Sequence, residues 1–141
     1  MDLISARSFV RDHRNGILIT LKGNGRPQSS NIVYAVGSDG GIRISMTDGR
    51  AKARNARRDP RVSLHVNRED FWAYVVVEGT AEFTPVTTDP HDATADALVD
   101  LHRSLAGEHD DWDDYRAAMV KDGRLVMTIR VDNAYGMLNQ G

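Results

Sequence analysis

Cations crowd the start of one short predicted helix, and that placement is the most suggestive chemistry in this 141-residue chain. Ile42-Arg43-Ile44-Ser45-Met46-Thr47-Asp48-Gly49 alternates as a strand running into a turn. Arg50-Ala51-Lys52-Ala53-Arg54-Asn55-Ala56-Arg57-Arg58 then reads as a helix beginning near Gly49. It must stop at Asp59-Pro60, because the residue before a proline is disfavoured in the α region. A helix start exposes N–H donors and the positive end of the macrodipole, so acidic residues belong there. Arg50, Lys52 and Arg54 oppose that field instead. A bound anion would remove the conflict, since helix starts accept phosphate and Arg grips it in a bidentate fork. Ser45 and Thr47, just upstream, could add hydroxyl donors. A solvated basic helix, with Thr47 or Asp48 as an ordinary cap, is the competing reading.

Other polar groups offer weaker chemistry. Ser30-Asn31 opens the apolar part of a strand and could recognise the carbonyl and N–H edge of a ring at a barrel mouth. Plain turn chemistry explains the same pair. The acidic run Glu108-His109-Asp110-Asp111-Trp112-Asp113-Asp114 places carboxylates where a helix start wants them, and it lacks the glycine turn and spacing of a calcium loop. The five histidines form no metal-ligand pattern, so no metal site is expected. There is no G-x-S-x-G nucleophile motif and no G-x-G-x-x-G after a strand. Trp72 and Tyr74 read as core or dimer-contact aromatics. No catalytic residue is assigned, because Tyr34 and His65 need geometry before either can be given a proton.

The elements that must position these groups are mostly strands. A helix over residues 3–13 carries Leu3, Ala6, Phe9 and Val10 on one face, with Asp2 or Ser5 at its start and Asn15-Gly16 at its end. Strands follow at 16–21, 28–36, 42–47 and 61–66. A long β-rich run covers 71–84, with a bulge or bend at Gly79. Five strands in 84 residues, joined by short turns, predict a small antiparallel barrel rather than a βαβ fold. Thr88-Asp89-Pro90 reads as a cap with proline at the first helical position. Ala93, Ala97, Leu98, Leu101 and Leu105 then share a helix face. A second helix starts at Asp110-Asp111 and ends at Asp122-Gly123, and residues 124–131 form the last strand. The expectation is a mainly β (α+β) split barrel with a helical insertion, spanning residues 1–141 as a single domain.

Composition narrows the classes. A net charge of −2 argues against general nucleic-acid binding. The absence of cysteine excludes disulfides and thiol chemistry. No apolar run approaches the roughly 18 residues of a membrane span, and residues 1–14 are charged and periodic, unlike a signal peptide. A cytoplasmic protein without membrane or nucleic-acid partners is expected. Arg outnumbers Lys fifteen to three, so the raw arginine count is discounted.

The ordered set of segments resembles the split β-barrel flavin-binding proteins related to pyridoxamine 5′-phosphate oxidase, and more closely their flavin and deazaflavin oxidoreductase branch that uses coenzyme F-420. The segments are Thr20-Leu21 through Gly25-Arg26-Pro27-Gln28-Ser29-Ser30-Asn31, then Arg50-Ala51-Lys52-Ala53-Arg54-Asn55 and Arg58-Asp59-Pro60-Arg61-Val62. Tyr74 through Val77-Glu78-Gly79-Thr80-Ala81 follows, then Ala106-Gly107-Glu108-His109 with Trp112-Asp113-Asp114-Tyr115-Arg116. The resemblance implies a homodimer with the cofactor in a groove between two barrels. It implies that Arg50 and Lys52 hold the cofactor phosphate with help from Ser45. It places Ser30, Asn31, Ile32 and Val33 along the ring, with Met46 and Thr47 nearby and Trp72 reaching in from the partner subunit. Arg54, Arg57 and Arg58 could meet the anionic tail of F-420.

The implied activity is hydride transfer from reduced coenzyme F-420 to a conjugated small-molecule acceptor of tetrapyrrole, quinone or enone type. An FMN-binding pyridoxamine-phosphate-oxidase-like oxidoreductase and a non-catalytic cofactor carrier are the alternatives. One departure stands out. The vitamin oxidases carry a C-terminal Arg-x-His segment, whereas this chain ends Tyr135-Gly136-Met137-Leu138-Asn139-Gln140-Gly141, which makes pyridoxamine phosphate an unexpected substrate.

Overall fold

The computed structural model describes residues 1–138. Chain order is α1 (Leu3–Arg11), β1 (Asn15–Leu21), β2 (Pro27–Val33), β3 (Ala35–Val36), β4 (Ile42–Thr47), α2 (Ala51–Arg58), β5 (Arg61–Asn67) and β6 (Tyr74–Phe83). Then come α3 (Ala93–Ala106), α4 (Trp112–Lys121) and β7 (Arg124–Met137). The seven strands form one antiparallel sheet in the order β2-β1-β5-β6-β7-β4-β3. This is the split barrel with a helical insertion that the strand pattern predicts, the insertion lying between β6 and β7.

The expected return strand at 28–36 is broken at Tyr34, whose ring drops into the core with no exposed surface. Its hydroxyl donates to the Val10 carbonyl at 2.6 Å, and its N–H donates to the Arg14 carbonyl at 2.8 Å. The chain thereby passes from one sheet edge, β2, to the other, β3. β7 runs six residues further than expected because it has two partners. Its first six residues pair with β4, and from Met127 to Met137 it pairs with β6. The register slips at Glu78/Gly79, as the glycine suggests. A Cβ on Gly79 would lie 2.2 Å from the Arg130 carbonyl oxygen, so no other residue fits there.

Three boundaries depart from expectation. Residues 71–73 are not strand, and Phe71 turns the chain at φ 73. α1 ends at Arg11 with Asp12 as its C-cap, so Asn15-Gly16 opens β1 instead of closing the helix. α3 begins at Ala93, not at Pro90. Asp92 out-competes the proline because its carboxylate accepts from the N–H groups of Ala95, Thr88 and Asp89 and from the Thr87 hydroxyl. Those donors favour the ionised form and hold its pKa down at about 2.

Inward positions of the strands fill the barrel with Leu18, Leu64, Val66, Val75, Val77, Ile42, Ile44, Leu125, Met127 and Ile129. On the outside, α3 and α4 cover one end of the sheet, where Leu98, Leu101 and Val126 make a second small core. The outer face of β2-β1-β5-β6 has no such cover. Yet β1 turns Ile17, Ile19 and Leu21 outward there, and Val33, Tyr135 and Met137 are each about half exposed. No helix among the described residues is long and apolar enough to cross a membrane.

Tyr34 makes the strand break testable. Tyr34→Phe removes one buried hydroxyl–carbonyl bond and costs about 1 kcal/mol. Burial raises the phenol above its ordinary value. The stability tied to it is therefore complete below about pH 10 and lost as the pH rises through the higher folded-state value. Urea midpoints measured across this range should fall less steeply for the variant; parallel profiles would disprove the buried role.

Candidate functional site

β4 and α2 are joined by three residues, Asp48, Gly49 and Arg50. Asp48 N–H donates to the Gly123 carbonyl at 3.0 Å, which ties the turn to the start of β7. Arg50 is the N-cap of α2, but no side chain caps the helix and its first turn holds no acid. Neither Thr47 nor Asp48 supplies the cap that the sequence left open. β7 contributes a residue the sequence reading missed. Arg124 stands opposite Thr47 in register, and its Nη1 donates to Ser45 Oγ at 3.2 Å. Its Nε is buried without an acceptor.

The electrostatics of this corner are one-sided. Lys52 is half-buried, and its pKa is lowered first by burial and then by the charges of Arg50 and Arg124. Among the described residues, no carboxylate pairs with Arg50, Lys52 or Arg124. Asp48 pairs with Arg57 instead. A partly buried cation normally finds a counter-charge or gives up its proton. Half-buried Lys52 and Arg124, exposed Arg50 and the hydroxyls of Ser45 and Thr47 would suit an anion, and the open N–H donors of α2 would suit a phosphate.

The remaining arginines of α2 do other work. Arg58 Nη2 donates to the Leu21 carbonyl and to Asn55 Oδ1, both at 2.9 Å. Arg57 pairs with Asp48 and lies over the Phe83 ring at 5.2 Å. Arg54 bonds the Gly49 carbonyl at 3.1 Å but keeps an exposed, unneutralised charge. Arg57 and Arg58 are thus committed to structure, which leaves Arg54 of the three expected tail contacts. Asn55 is buried and anchors the helix. Its Nδ2 donates to Gln28 Oε1 at 2.7 Å and to Thr20 Oγ1 at 3.2 Å. Sequence alone marks it only as a polar residue on a basic helix.

A second set of predicted residues gathers on the uncovered outer face. Asn31 and Val33 stand opposite Ile17 and Asn15 in register. With Gly16, Ile32, His65 and Asn67 they line a concavity of about 520 Å³. His65 Nε2 lies 3.1 Å from Asn67 Oδ1, and its ring stacks on Tyr74 at 5.1 Å. His65 therefore stands at this surface, whereas Tyr34 is sealed in the core. Ser30 faces the other way, opposite Leu18. Met46 is 1% exposed and packs in the barrel interior, so it supports the seat from beneath rather than lining a ring. Trp72 is 67% exposed beside Phe71 on the β5–β6 loop, where its N–H donates to Asp70 at 3.0 Å. The anion seat and the concavity share no lining residue among those described.

The acidic run serves α4. Asp111 caps the helix, accepting from Asp114 N–H, and Glu108 accepts from Arg103 Nε and Trp112 Nε1. Among the described residues, no three His, Asp or Glu side chains converge to hold a metal.

An antiparallel split barrel with an anion seat at the β4–α2 turn has known relatives. Residues 5–137 match the sequence profile described as pyridoxamine 5′-phosphate oxidase. The chain belongs to that family. Membership places it among flavin-binding oxidoreductase-type split barrels. A conserved hypothetical protein of Mycobacterium tuberculosis is 26% identical, with 97% of this chain and 84% of that one covered at a TM-score of 0.74. An F-420 reductase is 23% identical over 92% of this chain and 94% of its own, with a TM-score of 0.68. An FAD-binding protein of Mesorhizobium loti is 22% identical over 96% and 92%, with a TM-score of 0.66. Residues 135–137 of the divergent C-terminal segment complete β7, with Met137 opposite Tyr74. Residues 139–141 lie outside the described residues.

If Asn55 holds α2 in place, Asn55→Ala leaves the Thr20 hydroxyl buried without its donor and releases Arg58. The expected loss is about 1–3 kcal/mol in urea unfolding. An unchanged midpoint would mean that the alanine face of α2 suffices.

Proposed function

We propose that this protein is an oxidoreductase using reduced coenzyme F-420, bound between two copies of the chain, to deliver a hydride to a conjugated organic acceptor. The observation that carries the reading is the uncompensated cluster of Arg50, Lys52 and Arg124 around Ser45 and Thr47. It fits a phosphate by charge, by donor count and by its place at a helix start. When bound, the reduced deazaflavin supplies the hydride, so the chain's own work is to bind, orient and exclude water. Arg50 and Lys52 fix the phosphate end, while Arg124 is braced by Ser45. Asn31 and Val33 offer a surface for the ring, whereas Ile32 turns with Ser30 to the inner face and packs in the barrel core. Exposed Arg54 carries charge beyond the phosphate seat, which suits the anionic tail of F-420 better than bare FMN. The F-420 reductase among the similar structures favours the same choice. Tetrapyrroles, quinones and enones are the acceptor classes.

The twofold assembly is part of this proposal. Strands that are apolar on both faces need cover on both, and β1 has it on one side only. Val33, Tyr135, Met137 and Trp72 would meet a second copy there, bringing one chain's concavity to the other's anion seat. The FMN-dependent reading uses the same seat. Purified protein titrated with FMN and with F-420 separates the two, since tight uptake of the deazaflavin alone supports the first. Failure to turn over any acceptor while F-420 stays bound would make the protein a carrier.

Arg50→Ala and Lys52→Ala should each weaken cofactor affinity roughly ten- to hundredfold, the worth of one charge-assisted contact, with little change in melting. Unchanged affinity in both variants would remove the seat. Because burial and neighbouring cations lower the Lys52 pKa, affinity should decline as pH rises through that depressed value, earlier than for an ordinary lysine. Lys52→Arg, which keeps its charge, should flatten this limb in a titration from about pH 7 to 10. For the assembly, Val33→Glu should shift sedimentation from dimer to monomer and reduce cofactor binding together; a wild-type monomer would refute it.

A further inference from the structure

The helical insertion leaves a half-open hollow beside the proposed cofactor seat, with which it shares Arg124 and Ser45. It measures about 210 Å³ and lies between α3, α4 and the paired strands β4 and β7. Leu101, Leu105 and Met119 line it together with the rings of His102 and Tyr115, and Arg124 and Ser45, bonded to each other at 3.2 Å, supply its polar lining. A dry cavity of about 150 Å³ lined by aliphatic side chains takes up benzene, so one ring fits here.

The charge at the polar end lacks an answer within the chain. Arg124 has no carboxylate partner among the described residues, and its buried Nε has no acceptor. Tyr115 does not neutralise it. The phenol donates its proton to the Leu98 carbonyl at 3.1 Å, and burial raises its pKa, with the Arg124 charge opposing. The ring walls are held in place from outside. Tyr115 meets Trp112 edge-on at 5.5 Å and His102 at 4.8 Å, and Trp112 is fixed by Glu108 at 2.9 Å and by Arg103 stacked at 5.0 Å. A half-buried guanidinium without a carboxylate partner among the described residues, its Nε buried and unanswered, beside a ring-sized apolar space matches one ligand class.

We propose that this cavity binds a small aromatic monocarboxylate, its ring against Leu101, Leu105 and Met119 and its carboxylate on Arg124. A neutral ring would leave the guanidinium uncompensated, and inorganic phosphate would leave the apolar wall unfilled. The hollow shares Arg124 and Ser45 with the proposed cofactor seat, but Arg50 and Lys52 do not line it, so substitution of Arg50 tells the two sites apart.

Calorimetric titration of the full chain with benzoate tests the assignment, with benzyl alcohol and inorganic phosphate as comparison probes. Benzoate should bind, and its affinity should fall at least tenfold in Arg124→Gln and in Met119→Trp, which fills the cavity while keeping every charge. Arg50→Ala should bind benzoate as the parent does, and benzyl alcohol should not compete. Met119→Trp decides the matter if Arg124→Gln fails to fold. No binding of benzoate, or full binding by Met119→Trp, overturns the proposal. A loss in Arg50→Ala equal to that in Met119→Trp overturns it too, by moving the ligand to the helix start.

Discussion

Arg50, Lys52 and Arg124 bring like charges to one corner of the barrel with no carboxylate among them, and the fold must hold them there against their repulsion. It does so with neutral bonds and with an ion pair set apart from the cluster. Asn55 ties α2 to β1 and β2, Arg58 ties it to the Leu21 carbonyl, and Arg57 takes up Asp48. That last pair removes the one acid in the β4–α2 turn from the seat. On the other side, the β4–β7 register puts Arg124 across from Thr47 and beside Ser45. Under the proposed function, the corner would be prepared for an anion in advance, with little reorganisation left to the moment of binding.

The sheet distributes its two faces unequally, and function follows that division. The inner face closes on the barrel core, with Tyr34 carrying the chain between the two edge strands. The outer face is shared between α3–α4 and an uncovered region that exposes Val33, Tyr135 and Met137. Apolar outward positions on β1 would cost the protein solubility unless something covers them. The same uncovered region holds the concavity with Asn31 and His65, so in the proposed assembly cover and ligand surface would coincide.

The helical insertion does more than shield Val126. By standing on aromatic supports rather than on a deep apolar interface, α4 leaves a space against β4 and β7. None of its residues is fully buried. The acidic run that suggested a metal is spent on capping α4 and on bracing Trp112.

Much of the fold was legible in the residues because it depends on local rules. Alternation marked the strands, Gly79 marked the bulge, Pro60 ended α2, and the resemblance named the split barrel that the strand order confirms. The reversed charge at the start of α2 was visible for the same reason, since a macrodipole acts within one turn. Boundaries failed where a distant partner decided them. Asp92 displaced the cap expected ahead of Pro90 because four donors converge on it, β7 ran to Met137 because β6 extends alongside, and Tyr34 broke its strand to reach Val10. The roles of Arg124 and Asn55, and the burial of Met46, were equally out of reach. Whether a charge is left unanswered, or a side chain faces core or solvent, depends on which residues from far along the chain pack beside it. Types and spacing determined that cations stand at a helix start; only the folded sheet determined that no acid among the described residues pairs with Arg50, Lys52 or Arg124.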